Sequence, residues 1–111
     1  MLTRVGAAFL CALAVVASLP VRIDKKTRWV GVMAGADEMI YRYRLADQRD
    51  RMDLPTWRRR QKARLVDNAC SFDPEKGWRV FLDNGISVDI VYYDRSGALV
   101  ERFNLPSGLC E

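Results

Sequence analysis

Two cysteines place the strongest constraint on how this chain of 111 residues can fold. Cys110 is the penultimate residue, and Cys70 lies in the middle part of the chain. A pair of cysteines in a small exported domain is typical of a disulfide. The sequence therefore predicts a bridge that fastens the C-terminal tail to the interior of the domain. In the chain-entropy model, closing a loop of roughly forty residues contributes about 4 kcal/mol to stability.

Export is indicated by the first twenty residues. One basic residue, Arg4, precedes an apolar run from Val5 to Ala17 that contains the third cysteine, Cys11, and Pro20 follows. A basic start, an apolar run and a small residue in this order are typical of a secretory signal peptide. The pattern predicts that residues 1–17 are a signal peptide cleaved after Ala17, so that the mature protein is periplasmic or secreted.

The alternative is an uncleaved anchor in the inner membrane that ends near residue 21. The apolar run is close to the shortest length that can span a bilayer. Basic residues follow at positions 22, 25, 26 and 28, and positive charge beside an apolar segment favours the cytoplasmic side. Under either interpretation, residues 18–26 are predicted to form a linker and residues 27–111 a single domain.

Four segments of this domain have the composition and alternation of β-strands. Residues 27–34 and 39–45 are separated by a short turn, and residues 86–93 and 98–105 by a turn that contains Gly97. Glycine suits the left-handed position of a short hairpin loop. Each pair of segments therefore predicts a hairpin.

Two helices are predicted between the hairpins. The first has Asp53 as its N-cap and extends to about Ala69, with one polar residue, Gln61, on its apolar side. The second has Asp73 as its N-cap and ends at Asn84. The sequence thus predicts an α+β fold of two layers in the order ββααββ, with a four-stranded antiparallel sheet made of two hairpins and two helices on one face.

Several classes of catalytic site lack their usual residues. The chain contains no histidine, which is the commonest general base and the commonest metal ligand. Two thiols outside the apolar run are too few for a typical zinc site, and no glycine-rich phosphate loop is present. No catalytic residue, no metal ligand and no cofactor is therefore predicted. The acidic residues Asp83, Asp89, Asp94 and Glu101 leave a small hydrolase as a minor alternative.

The positive charge is concentrated in residues 42–64, which contain nine basic and three acidic residues. A basic segment can bind anionic lipid, glycan or nucleic acid, and export argues against nucleic acid. The candidate surface for an anionic partner is Arg58, Arg59, Lys62 and Arg64. Because adjacent strand residues point to opposite faces, Tyr93 next to Tyr92 is the candidate for an exposed aromatic contact.

Several short motifs occur in an order that resembles a loose group of small exported bacterial proteins. The motifs are LP-x-x-x-D-x-x-T at residues 19–27, Y-x-Y-x-L at 41–45, Cys70, D-x-G-I at 83–86, Y-x-D-x-x-G at 92–97 and the final Cys110. The resemblance implies export and a disulfide, and because the group has no assigned activity it implies no functional residues. The basic segment Trp57–Arg64 is not part of the shared pattern.

These observations favour a small, exported, disulfide-containing binding or accessory protein of the bacterial envelope that is not an enzyme. Its expected partner is an envelope protein or glycan, with peripheral membrane contact as a further option. The alternative function is that of an N-terminally anchored membrane protein whose basic segment, residues 42–64, binds anionic lipid or another polyanion.

Overall fold

The computed structural model describes residues 21–73 and 77–110. The signal peptide predicted for residues 1–17, and nearly all of the alternative anchor, lie outside the described residues. The strands are β1 (Val21–Asp24), β2 (Thr27–Ala34), β3 (Glu38–Leu45), β4 (Ser87–Tyr93) and β5 (Leu99–Leu105). The helices are α1 (Leu54–Ala69), α2 (Arg79–Asp83) and a single 3-10 turn (Arg49–Arg51).

The five strands form one mixed sheet in the order β1-β2-β3-β4-β5. All neighbours are antiparallel except β3 and β4, which pair in parallel from Glu38 opposite Ser87 to Arg44 opposite Tyr93. The predicted α+β class is confirmed, but the four-stranded antiparallel sheet in the order ββααββ is wrong. The additional strand, β1, lies within residues 18–26, which the sequence predicts as a linker.

The parallel pairing follows from the unequal lengths of the two helices. With a rise of about 1.5 Å per residue, α1 spans about 24 Å and α2 about 8 Å, because they contain 16 and 5 residues. Helix α1 alone therefore returns the chain along the sheet, and β4 starts at the same end as β3. Helix α2 is shorter than predicted because Gly77 has a φ of 77°, which a continuous helix from Asp73 cannot contain.

Helix α1 matches its prediction closely. The Asp53 carboxylate accepts hydrogen bonds from the backbone N–H and the hydroxyl of Thr56, at 3.4 and 2.8 Å, and so caps the helix. These hydrogen bonds also lower the pKa of Asp53. The polar residue on the apolar side has a partner, since Gln61 Nε2 donates to the Tyr92 hydroxyl at 2.7 Å. A buried phenol therefore keeps its hydrogen bond.

The core lies between the two helices and one face of the sheet. Strand residues Tyr43, Ile90 and Tyr92 are buried there, against Leu65 of α1 and Leu82 of α2. The rings of Tyr43 and Tyr92 stack with 5.3 Å between centroids, a geometry that adds about 0.5–1.5 kcal/mol beyond area burial. Burial raises the pKa of both phenols, so they remain neutral in the folded protein.

A disulfide joins Cys70 to Cys110, with 5.4 Å between the two Cα atoms. Cys70 is the C-cap of α1, and Cys110 follows the turn that ends β5. Leu109, next to the bridge, packs against the core. The bridge thus holds the C-terminal tail against the end of the main helix.

Candidate functional site

The two faces of the sheet have different surroundings. On the covered face, the side chains of alternate strand residues pack against α1 and α2. On the open face, no described helix lies over the sheet, and the side chains of the other alternate residues meet solvent or one another. The open face carries Met33, Ile40, Arg42, Arg44, Asp89, Val91, Tyr93, Arg102 and Asn104.

A groove lies between α1 and β5, the strand that forms one edge of the sheet. We call it the helix–edge groove, and its volume is about 360 Å³. Helical periodicity brings Arg58, Lys62 and Leu65 to one side of α1. Alternation along β5 turns Glu101, Phe103 and Leu105 toward the helix. The lining is Arg58, Arg59, Lys62, Leu65, Glu101, Arg102, Phe103, Asn104 and Leu105.

The floor of the groove is apolar and its rim is basic. Leu65, Phe103 and Leu105 are buried. Arg59 and Lys62 are exposed above them, and neither takes part in an ion pair within the described residues. An apolar floor beside two unpaired basic side chains suits a ligand that carries both apolar groups and carboxylates.

The third cation of the groove, Arg58, is already held in place. Its Nε lies 2.7 Å from Glu101 Oε2. This Nε is buried, and its contact with Glu101 is an ion pair that does not count as a hydrogen bond within the described residues. Glu101 also accepts a hydrogen bond from the backbone N–H of Arg102 at 2.9 Å. Arg58 thus bridges α1 to the edge strand, while Arg59 and Lys62 stay available.

The structure brings together three of the four basic residues proposed from sequence. Arg58, Arg59 and Lys62 line the helix–edge groove. Arg64 lies elsewhere, with its Nη1 4.0 Å from Asp24 Oδ2 of β1. Tyr93, the proposed aromatic contact, is partly exposed on the open face opposite Arg44. The proposed set is therefore divided among three places on the surface.

The β5 side of the groove is not among the residues predicted from the sequence. Glu101, Phe103 and Leu105 alternate in the predicted strand 98–105, so their common face could be read from period two. The alternation does not show that β5 is the edge strand beside α1. This position depends on the parallel pairing of β3 and β4.

The four acidic residues considered for hydrolysis do not meet at one site. Asp89 accepts hydrogen bonds from Arg102 and Asn104 on the open face, and the partnership with Asp89 raises the pKa of Arg102. Asp83 pairs with Arg79, whose Nε is 3.2 Å away. Asp94 and Glu101 are bound by other donors in the β4–β5 loop and the groove. Each carboxylate therefore has its own local structural partner.

Residues 21–73 and 77–110 contain neither a metal-binding cluster nor a helix suited to cross a membrane. Across these ranges, His, Cys, Asp and Glu side chains form no group of three that could hold a metal ion. Across the same ranges, none of the helices has the length and apolar character required to cross a membrane.

No protein-family model matches the sequence, and a search of curated proteins gives no significant match. Among solved structures, a "putative secreted protein" of Pseudomonas aeruginosa superimposes with a TM-score of 0.78 at 16% identity, over 99% of this chain and 95% of that chain. The pilotin EpsS of the Vibrio vulnificus type 2 secretion system gives 0.75 at 16% identity, over 98% and 93%.

The Vibrio cholerae type II secretion pilotin AspS gives a TM-score of 0.69 at 21% identity, over 97% of this chain and 93% of that chain. The fold is similar to that of pilotins. At identities of 16–21%, the likeness extends to the fold alone. The covered face, the open face and the helix–edge groove must therefore be interpreted from the side chains of this chain.

Proposed function

We propose that this chain is a small non-enzymatic accessory protein of the bacterial envelope that binds a segment of another envelope protein in the helix–edge groove. The segment carries apolar side chains and carboxylates. The observation that carries the proposal is the pairing of a buried apolar floor, Leu65 and Phe103, with two cations that have no ion-pair partner in the described residues, Arg59 and Lys62.

The edge strand makes a peptide the most suitable ligand. One edge of β5 pairs with β4, and no described strand pairs with its other edge. An extended peptide can add to such an edge through backbone hydrogen bonds, with its alternate side chains in neighbouring pockets. A glycan could stack on Phe103 but has no backbone N–H and C=O groups to pair with the edge strand, so we favour a protein segment.

Fold similarity supports the same class of function. EpsS and AspS are pilotins of type II secretion systems, and the Pseudomonas aeruginosa neighbour is described as secreted. The predicted signal peptide and the disulfide agree with a periplasmic or secreted location. The alternative based on residues 42–64 as one polyanion surface has less support, because Arg42 and Arg44 lie on the open face and Arg58, Arg59 and Lys62 on the groove.

The test uses two adjacent arginines of α1 as a matched pair. Arg59 lines the groove, whereas Arg60 is also exposed but does not line it. A photo-crosslinking amino acid is placed at either position in cells, and the adducts are identified by mass spectrometry. The partner is then purified and titrated against the wild type, Arg59→Glu/Lys62→Glu and Arg60→Glu.

We expect crosslinks from position 59 and few from position 60. Reversing both groove charges is expected to weaken binding about tenfold or more, equivalent to about 1.4 kcal/mol or more. Arg60→Glu is expected to stay within about twofold at physiological salt, where charges beyond about 8 Å are screened. Equal crosslinking from both positions, or equal losses in both variants, would show that the groove is not the binding site.

A further inference from the structure

Three arginines lie directly opposite one another on three adjacent strands. Arg22 of β1 pairs in register with Arg28 of β2, and Arg28 pairs with Arg44 of β3. Residues that are directly opposite in an antiparallel sheet project to the same face. The three guanidinium groups therefore start from one row on the open face, at the edge of the sheet remote from the helix–edge groove.

The three arginines repel one another, because like charges directly opposite across strands are destabilising. The described part of the chain provides little to compensate for this repulsion. Arg28 and Arg44 form no ion pair within the described residues, and the Nε of Arg22 donates to the backbone carbonyl of Asp24 at 3.3 Å. A row of this kind is explained most simply if an anion binds to it.

Further cations surround the same space. The turn between β1 and β2 provides Lys25 and Lys26, and the loop between β4 and β5 provides Arg95. With the arginine row they line a pocket of about 540 Å³, a size typical of small-molecule sites, which are roughly 300–1,000 Å³. We call it the basic pocket. Its cations are Arg22, Lys25, Lys26, Arg28, Arg44 and Arg95.

The nearby carboxylates are already engaged. Asp24, which lines the pocket, accepts a hydrogen bond from the backbone N–H of Lys26 at 2.8 Å and lies 4.0 Å from Arg64. Asp47 pairs with Lys26, whose Nζ is 3.2 Å away. Neither carboxylate reaches Arg28 or Arg44 in an ion pair. The centre of the pocket therefore keeps a surplus of positive charge.

We propose that the basic pocket binds a ligand bearing two or more phosphate charges. A guanidinium presents a planar fork of N–H donors that matches phosphate oxygens in pairs, and such charge-assisted hydrogen bonds are stronger than neutral ones. Three guanidinium groups in a row suit a diphosphate or a phosphomonoester better than a single carboxylate. The ligand can be a free phosphate compound or a lipid headgroup, and the chemistry at the pocket is the same.

The test titrates the protein purified from the bacterial envelope with inorganic pyrophosphate, by calorimetry and by thermal unfolding at physiological salt. The variant Arg28→Gln/Arg44→Gln removes the centre of the row. The matched control is Arg51→Gln/Arg60→Gln, which removes two exposed arginines that do not line the basic pocket. Vesicles with and without phosphatidic acid form a second arm.

We expect pyrophosphate to raise Tm of the wild type and of the control, and Arg28→Gln/Arg44→Gln to weaken binding about tenfold or more. Without ligand, that variant is expected to unfold at the same Tm as the wild type or higher, since it loses cross-strand repulsion. Vesicle binding that pyrophosphate displaces would identify a lipid headgroup, and binding to pyrophosphate without vesicle binding would identify a free phosphate compound.

Three results would overturn the proposal. The first is that neither pyrophosphate nor phosphatidic acid vesicles bind. The second is that the control variant loses as much affinity as Arg28→Gln/Arg44→Gln, which would mean that net charge alone attracts the anion. The third is that poly-glutamate binds at the row and the phosphate ligands do not, which would make the pocket a site for an acidic peptide.

Discussion

The covered face and the open face bury neighbouring residues of the same strand in different ways. Ile90 is 0% exposed under the helices, and Val91 is 6% exposed although no described helix lies above it. Val91 has Arg42 and Arg102 as its cross-strand neighbours, and the aliphatic parts of arginine side chains can cover an apolar residue while their charged ends meet solvent. The covered face is thus stabilised by apolar packing, and the open face by side chains that also display charge.

Glycine contributes to this arrangement on the open face. Gly31 of β2 lies opposite Arg42, and a Cβ atom at Gly31 would come within 2.5 Å of an Arg42 guanidinium nitrogen. The absence of a side chain at Gly31 therefore leaves the space that the Arg42 guanidinium occupies. On the same surface, some arginines can therefore pack over the sheet while others remain available to bind a ligand.

The largest expected effect concerns the disulfide that closes the covered side. Replacing both cysteines, Cys70→Ser/Cys110→Ser, is expected to lower the free energy of unfolding by about 4 kcal/mol, because the unfolded chain regains the entropy of an open loop. Denaturant unfolding measures the change, and wild-type protein unfolded in a reductant should reproduce it. A loss below about 1 kcal/mol would mean that the tail is held by packing around Leu109 and not by the bridge.

The next effect tests the comparison directly on adjacent residues of β4. Ile90→Ala is expected to cost about 3 kcal/mol, because it leaves a cavity under the helices that cannot collapse. Val91→Ala is expected to cost about 1–2 kcal/mol, since it removes fewer carbon atoms and no described helix prevents the open face from relaxing into the space. Both values come from denaturant unfolding. Equal costs would show that the open face is packed as rigidly as the covered face.

A smaller effect concerns Asp94, a buried carboxylate in the β4–β5 loop, and appears in the pH dependence of stability. Asp89 is paired with Arg102, whereas Asp94 is bound by uncharged donors in the β4–β5 loop. Hydrogen bonds from the Ser96 hydroxyl and from the backbone N–H of Arg49 hold the pKa of Asp94 at about 2, below its ordinary value of 3.8. Because the pKa of Asp94 is lower in the folded than in the unfolded protein, its ionised form stabilises the fold. This stabilisation is fully present above pH 4 and is lost as the pH falls through 2.

Unfolding measured between pH 5 and pH 2 should therefore show a decline that is shallower in Asp94→Asn, which cannot titrate at this position. The variant is also expected to be less stable at pH 7, since the amide replaces a charged acceptor of hydrogen bonds with a neutral one. An identical pH profile in the wild type and in Asp94→Asn would contradict the assignment.

The sequence predicted what local chemistry determines. Asp53 specifies the start of α1, the alternation of residues 39–45 and 86–93 specifies two strands, and the two late cysteines specify the bridge. The parallel pairing of β3 and β4 was not predicted, because it depends on Gly77 shortening the second helix and on the relative lengths of two segments. The short strand β1 was missed because Val21–Asp24 follows the apolar run directly and has no alternation long enough to recognise.

The candidate sites were predictable to a similar extent. The sequence predicts Arg58, Arg59, Lys62 and Arg64 as one basic surface and predicts no groove; helical spacing brings the first three together beside β5. The arginine row of the basic pocket was not expected, since Arg22, Arg28 and Arg44 come from three strands whose register is set by a β-bulge at Trp29–Gly31 and by another near Asp24. Contacts between residues on different strands can be predicted only when the pairing of the strands is known.

The smallest expected effect on stability lies at the Arg58–Glu101 ion pair, where α1 meets the edge of the sheet. The two side chains are 41% and 31% exposed, and ion pairs of such exposure contribute about 0–1 kcal/mol. Glu101→Gln should therefore change the free energy of unfolding by less than about 1 kcal/mol. The same substitution removes the one carboxylate of the groove lining, so it is expected to raise the affinity for an acidic partner segment by about twofold to fivefold.

Salt provides the discriminating measurement for this last prediction. Screening weakens interactions between exposed charges, with a Debye length of about 10 Å at 0.1 M salt and about 3 Å at 1 M. The affinity gain of Glu101→Gln should therefore be largest at low ionic strength and should disappear near 1 M salt, while the stability difference stays small throughout. A gain that persists at 1 M salt would mean that Glu101 acts by shape and not by charge, and a loss of affinity would mean that the Arg58–Glu101 bridge itself forms part of the binding surface.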